Sequence, residues 1–108
     1  MPTGWRAELK RVADAYVAGE VPEGDGIERP DVRSFEISRA NLADYGEPMG
    51  PLAEVAWESS VMAWQGGYWQ VLVDLTDLNG ERSDLALHAR VTPVGDGVLI
   101  EPGLVYVP

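Results

Sequence analysis

The sequence predicts a two-layer α+β fold, with helices from the first half covering a four-stranded antiparallel sheet built from the second. Three observations carry this reading. Apolar residues recur at helical spacing between Trp5 and Tyr16, they alternate with polar ones over 69–75 and 85–91, and glycine-containing turns separate the β segments. At 108 residues and 45% apolar composition the chain fits one ordered domain, residues 1–108, rather than a disordered segment.

The first helix is the clearest element. Trp5, Leu9, Val12 and Tyr16 fall on one face, Thr3 is positioned to cap the start, and Gly19 suits a left-handed end. Arg6, Lys10 and Arg11 lie away from that stripe, so the helix is locally basic. From Glu20 to Arg33, Pro22, Gly24, Gly26 and Pro30 break any regular element and predict a long loop. A short second helix is expected with Ser38 as its cap, Ile37 and Leu42 forming a hydrophobic staple, and Gly46 closing it.

Strands are expected over 57–64, 68–76, 82–92 and 98–107, paired as a meander in chain order. Pro102 cannot donate to a ladder, which sends the last strand to an edge. The Asn79-Gly80 turn allows a sharper expectation. A two-residue turn pairing Leu78 with Glu81 would set apolar residues against polar ones along the whole hairpin. An odd loop, Asn79-Gly80-Glu81 with Gly80 left-handed, instead pairs Leu75 with Leu85 and Val73 with Leu87. The expected core is Trp5, Leu9, Val12, Tyr16, Leu42, Trp69, Val71, Val73, Leu75, Leu85, Leu87, Ala89, Val91 and Ile100.

Composition also restricts function. Eighteen acidic residues against eight basic ones give a net charge of −10, the wrong sign for nucleic acid or an anionic membrane surface. Without cysteine there is no disulfide, thiolate zinc site or thiol nucleophile, and a single histidine argues against a transition metal. Glu23 to Glu28 lacks the ligand run of a calcium loop, and its acidic flanks exclude a phosphate cradle. No metal or cofactor is expected, no window is long and apolar enough to span a membrane, and the N-terminus does not read as a signal peptide, so the expected location is cytoplasmic.

Two sets of candidate site residues remain. Glu20, Glu23, Asp25, Glu28 and Asp31 put five acids against one arginine within 20–31, and Trp57, Trp64 and Tyr68 supply aromatic anchors. Together they suit a non-enzymatic module that engages a basic protein, as immunity proteins or inhibitors do. The alternative is a small-molecule or hydrolytic pocket between helix and sheet, with His88, Asp74 and Asp84 as its weaker candidates. No serine shares the face of His88, since Ser83 has the opposite parity.

The run Trp69-Gln70-Val71-Leu72-Val73-Asp74-Leu75, followed by Gly80-Glu81-Arg82-Ser83-Asp84-Leu85-Ala86-Leu87, resembles a family of small bacterial proteins of unknown function. Its pattern is a tryptophan, an alternating V-x-V-x-L strand, then G-R-S-D-L-x-L; here Glu81 is inserted after the glycine. The Asp44-Tyr45-Gly46 step and the closing Leu104-Val105-Tyr106-Val107-Pro108 are similar as well. The resemblance implies a fold and no activity. On physical grounds, Arg82 and Asp84 share one side of the strand and are placed to pair, and Ser83 is placed to bond into the turn, so Arg82-Ser83-Asp84 reads as a hairpin-stabilising device before it reads as a site. A curved sheet around a helix also looks like cystatin-like or NTF2-like architectures, an analogy of shape alone.

Overall fold

A computed structural model describes residues 1–108 and has the expected α+β architecture. Helices α1 (Thr3–Ala18) and α2 (Val32–Asp44) pack on one face of an antiparallel sheet of four strands. The strands are β1 (Val61–Trp64), β2 (Trp69–Thr76), β3 (Arg82–Val94) and β4 (Gly97–Tyr106), in the order β1-β2-β3-β4. Neither helix is long and apolar enough to cross a membrane.

Helix α1 buries Leu9, Val12, Ala13 and Tyr16, and Trp5 packs half-buried at its start. Gly19 takes φ 77°, so its N–H donates to the Tyr16 carbonyl while the N–H of Glu20 donates to that of Ala15. This paired closure of a helix end is accessible to glycine at little steric cost. The N-terminus differs from expectation: Pro2 occupies the cap and Thr3 is already helical, with no side-chain cap. Proline's fixed φ sets the entry, and the Pro2 carbonyl takes the N–H of Trp5.

Helix α2 is the main correction. It begins at Val32, and Ser38 lies in its interior, fully buried, instead of at its cap. The Ser38 hydroxyl donates to the Ser34 carbonyl and accepts the N–H of Val105, so a buried polar group ties α2 to β4. With Ser38 mid-helix, Ile37 and Leu42 form no staple; Ile37 is exposed. The cap is Asp31, whose carboxylate accepts from both the N–H and the hydroxyl of Ser34. Those two bonds, the backbone one first, hold the Asp31 pKa below the ordinary carboxylate value. A folded-state pKa below the unfolded one gives stability that is present above the ordinary carboxylate range and lost as pH falls through the folded value. Asp31→Ala should therefore lower the melting temperature at neutral pH and leave it near wild type in strong acid. Calorimetry across that range reads the difference.

The segment expected as the first strand also divides. Residues Glu54–Glu58 form a 3-10 turn that buries Ala56, and only Val61–Trp64 pair with β2. Trp57 therefore lies on the turn, outside the sheet.

The β2–β3 hairpin has an odd loop, and Val73 stands opposite Leu87 as predicted, but the expected Leu75–Leu85 pair falls in a register shift between Asp74 and Thr76 and does not form. The three loop residues are Leu78-Asn79-Gly80, one earlier than expected: Asp77 donates its N–H to the Glu81 carbonyl, and Gly80 is left-handed at φ 76°. Between Asp74 and Thr76 the register shifts, so that β3 carries a bulge at Ser83 and Asp84. The Ser83 hydroxyl donates to the Leu75 carbonyl and accepts the N–H of Leu85, while the Tyr45 hydroxyl accepts the N–H of Asp84. The polar groups freed by the bulge are thus satisfied. That is the hairpin-stabilising part expected of Ser83; Arg82 and Asp84 form no ion pair.

Strand β4 bulges too. Leu87 faces Val105 but Ala89 faces Pro102, which leaves one extra residue opposite His88. The bulge reverses parity along β4, so Ile100 and Val105 both point into the core.

Candidate functional site

The sheet has one covered face and one open face. Gln70, Leu72, Asp74, His88 and Arg90 lie on the open side, by the same alternation that buries Val71, Val73, Leu87 and Ala89. His88 stands opposite Leu72, as the odd register requires, and contacts the amide nitrogen of Gln70 through its Nε2. Its ring meets Tyr106 edge-on at 5.9 Å. Partial burial first, and the Arg90 guanidinium second, push the His88 pKa below its ordinary value, so the ring is neutral at pH 7.

The three hydrolytic candidates do not assemble. The Asp74 carboxylate accepts the Ser59 hydroxyl at 2.7 Å, and no hydrogen bond joins His88 to Asp74 or to Asp84. Asp84 sits at the β3 bulge beside Tyr45. His88, Gln70, Arg90 and Glu101 do line an open cleft of about 450 Å³ with Glu28 and Asp31. Its walls carry charges of both signs and no serine or threonine to act as a nucleophile.

The acidic candidates are distributed over several surroundings. Glu20 follows the end of α1, Glu23 pairs with Arg29 at 3.6 Å, and Asp31 is engaged in capping α2. Glu28 belongs to a stretch stitched onto the outer edge of β4: Ile100 donates to the Gly26 carbonyl and Glu28 donates to that of Ile100. The loop from 20 to 31 is therefore anchored midway, with Ile27 buried beneath it.

Asp25 has the most suggestive neighbours. It lines a concavity of about 340 Å³ with Trp5, Glu8 and Asp96. None of these three carboxylates is in an ion pair. Trp5 packs against Trp69 with ring centroids 6.2 Å apart, and Trp69 against Trp64 at 5.2 Å. The row ends on Trp64, which is 50% exposed. Trp57 and Tyr68 lie elsewhere: Trp57 packs half-buried against the core with the Arg6 guanidinium 5.6 Å above it, and Tyr68 carries that of Arg90 at 4.6 Å.

Glu8, Asp96 and the place of Trp5 in the wall of this concavity escaped the sequence reading. Glu8 stands on α1 and Asp96 in the β3–β4 turn, so no local spacing joins them to Asp25. The convergence is purely tertiary.

No curated protein matches this chain, and no solved structure matches it. The family described as Domain of unknown function (DUF7668) matches residues 12–108, from the middle of α1 through both bulged hairpins to the C-terminus. The chain belongs to that family.

Proposed function

We propose that this protein is a binding module, without catalytic activity of its own, that engages a basic protein through the end of the molecule carrying Trp5. The observation that supports this reading is the convergence of Glu8, Asp25 and Asp96 on Trp5, the inner member of a tryptophan row that surfaces at Trp64. Carboxylates without counter-charges attract lysine and arginine over distance, and indole faces hold a desolvated cation or aliphatic stem at contact. A net charge of −10 accelerates encounter with such a partner and makes it dependent on salt.

Affinity capture from native lysate at low ionic strength tests this. Basic proteins should be retained, released by added salt, and lost from the double variant Asp25→Lys/Asp96→Lys. Both positions are exposed, so the fold should tolerate the change. Retention of the same proteins by that variant, or of no basic protein by the wild type, overturns the reading.

A further inference from the structure

We infer that the outer edge of β1 is a docking strand, to which an extended segment of a cationic protein adds as a fifth strand of the sheet. The inference rests on the basic partner proposed above and specifies how that partner is held.

The two edges of the sheet are treated differently. Along β4 the outward backbone groups are occupied. Ile100 exchanges hydrogen bonds with Gly26 and Glu28, Val105 donates to Ser38 and accepts from Asn41, and Pro102 has no N–H to offer. Beyond the end of β1 the edge of β2 is also covered, because Gly50 donates to the Thr76 carbonyl and Met49 bridges Asp77. β1 itself has no such cover. Gln65 donates to the Tyr68 carbonyl across the Gly66-Gly67 turn. Antiparallel alternation then turns Ala63 and Val61 toward β2, and the N–H and C=O groups of Met62 and Trp64 away from it. Those outward groups bond to nothing in the chain.

The exposed strand also lacks the residues that usually protect an edge. Val61-Met62-Ala63-Trp64 contains no charge, no proline and no bulge, and Val61 and Trp64 are 54% and 50% exposed. Strand addition uses such a template, with main-chain bonds for affinity and alternate side chains for selection.

Charge selects the occupant. A second copy of this chain would bring a further −10 to the contact, whereas a cationic segment would meet exposed Glu54 and Glu58 just before β1. At the other end of β1, Trp64 begins the tryptophan row that leads to Trp5, Asp25 and Asp96. Because β1 offers few backbone bonds, the flanking charge supplies much of the encounter and the edge supplies the register.

The probe is a capped Lys-Val-Lys-Val-Lys-Val peptide, compared with the same peptide N-methylated at every amide, so that neither of its edges can donate, and with its Glu-Val counterpart. Backbone amide exchange followed by NMR on the intact chain is the readout. The expected result is slowed exchange at Met62 and Trp64 with the Lys-Val peptide, an affinity loss of about tenfold or more on N-methylation, and no binding of the Glu-Val peptide. Equal binding of the N-methylated peptide, or protection confined to other amides, overturns strand addition while the basic-partner reading stands. Binding of the Glu-Val peptide as tight as that of Lys-Val overturns the cationic requirement in both. Protection at Met62 and Trp64 that grows with protein concentration alone makes a second copy the occupant, and no binding at millimolar peptide overturns the inference outright.

Discussion

Gly103→Ala should destabilise the fold by about 2–4 kcal/mol, read as a lower urea midpoint with an unchanged slope. An added β carbon at this position would stand 2.6 Å from the His88 carbonyl oxygen. The obstruction is main chain on the neighbouring strand, so no side-chain rotation relieves it, and β3 and β4 would have to part at their bulge. That bulge sets the parity by which Val105 enters the core, and the strain would spread into buried contacts. Gly4→Ala is the matched control. Nothing lies within 4 Å of its added methyl, and the position is in the first turn of α1, where alanine is the better helix former. The control should leave stability unchanged or raise it by up to about 1 kcal/mol.

The contrast between these two glycines shows which part of the fold was written locally. Alternation in β2 and β3, the parity argument at Asn79-Gly80 and the proline in β4 were enough to fix the meander, the odd loop and the edge position of β4. Each is a property of neighbouring residues. The two bulges are not, because each needs a partner from another element: Tyr45 of the α2 terminus at Asp84, and Tyr16 of α1 at Gly103. Val105 was missed for the same reason, since its burial depends on the extra residue in β4.

Helix α2 is a different case, because its signal is present in the sequence. Phe35, Ser38, Leu42 and Tyr45 repeat at intervals of three, four and three, and Asp31 followed by Ser34 is a cap signature after Pro30. A polar serine within the stripe concealed the pattern, and only the N–H of Val105 explains why a serine is needed there. The candidate site divides likewise. The acidic surplus and the pairing of Trp64 with Trp69 could be read along the chain, while Glu8 and Asp96 joined Asp25 through the packing of α1 against the β3–β4 end.

Tyr16→Phe should cost about 1–3 kcal/mol although it removes a single oxygen. The Tyr16 hydroxyl donates to the Gly103 carbonyl at 2.7 Å, inside the bulge that Gly103→Ala disturbs, and phenylalanine leaves that acceptor without its side-chain donor. The ring itself stays, stacked on Phe35 at 5.4 Å, so packing is nearly conserved and the loss isolates the hydrogen bond. The same hydroxyl sets an alkaline limit. Burial first, and the Asp31 carboxylate second, raise the Tyr16 pKa from 10.0 to about 12. A folded-state pKa above the unfolded one means that this contribution is complete below pH 10 and is lost as pH rises through about 12. Wild-type stability should fall across that window and Tyr16→Phe should flatten the decline; parallel declines would show that another group controls it. Because both substitutions act on one bulge, their costs should not add. A double-mutant cycle between Tyr16→Phe and Gly103→Ala should return a coupling of about 0.5–3 kcal/mol. Once alanine has displaced the Gly103 carbonyl, the hydroxyl has less left to hold.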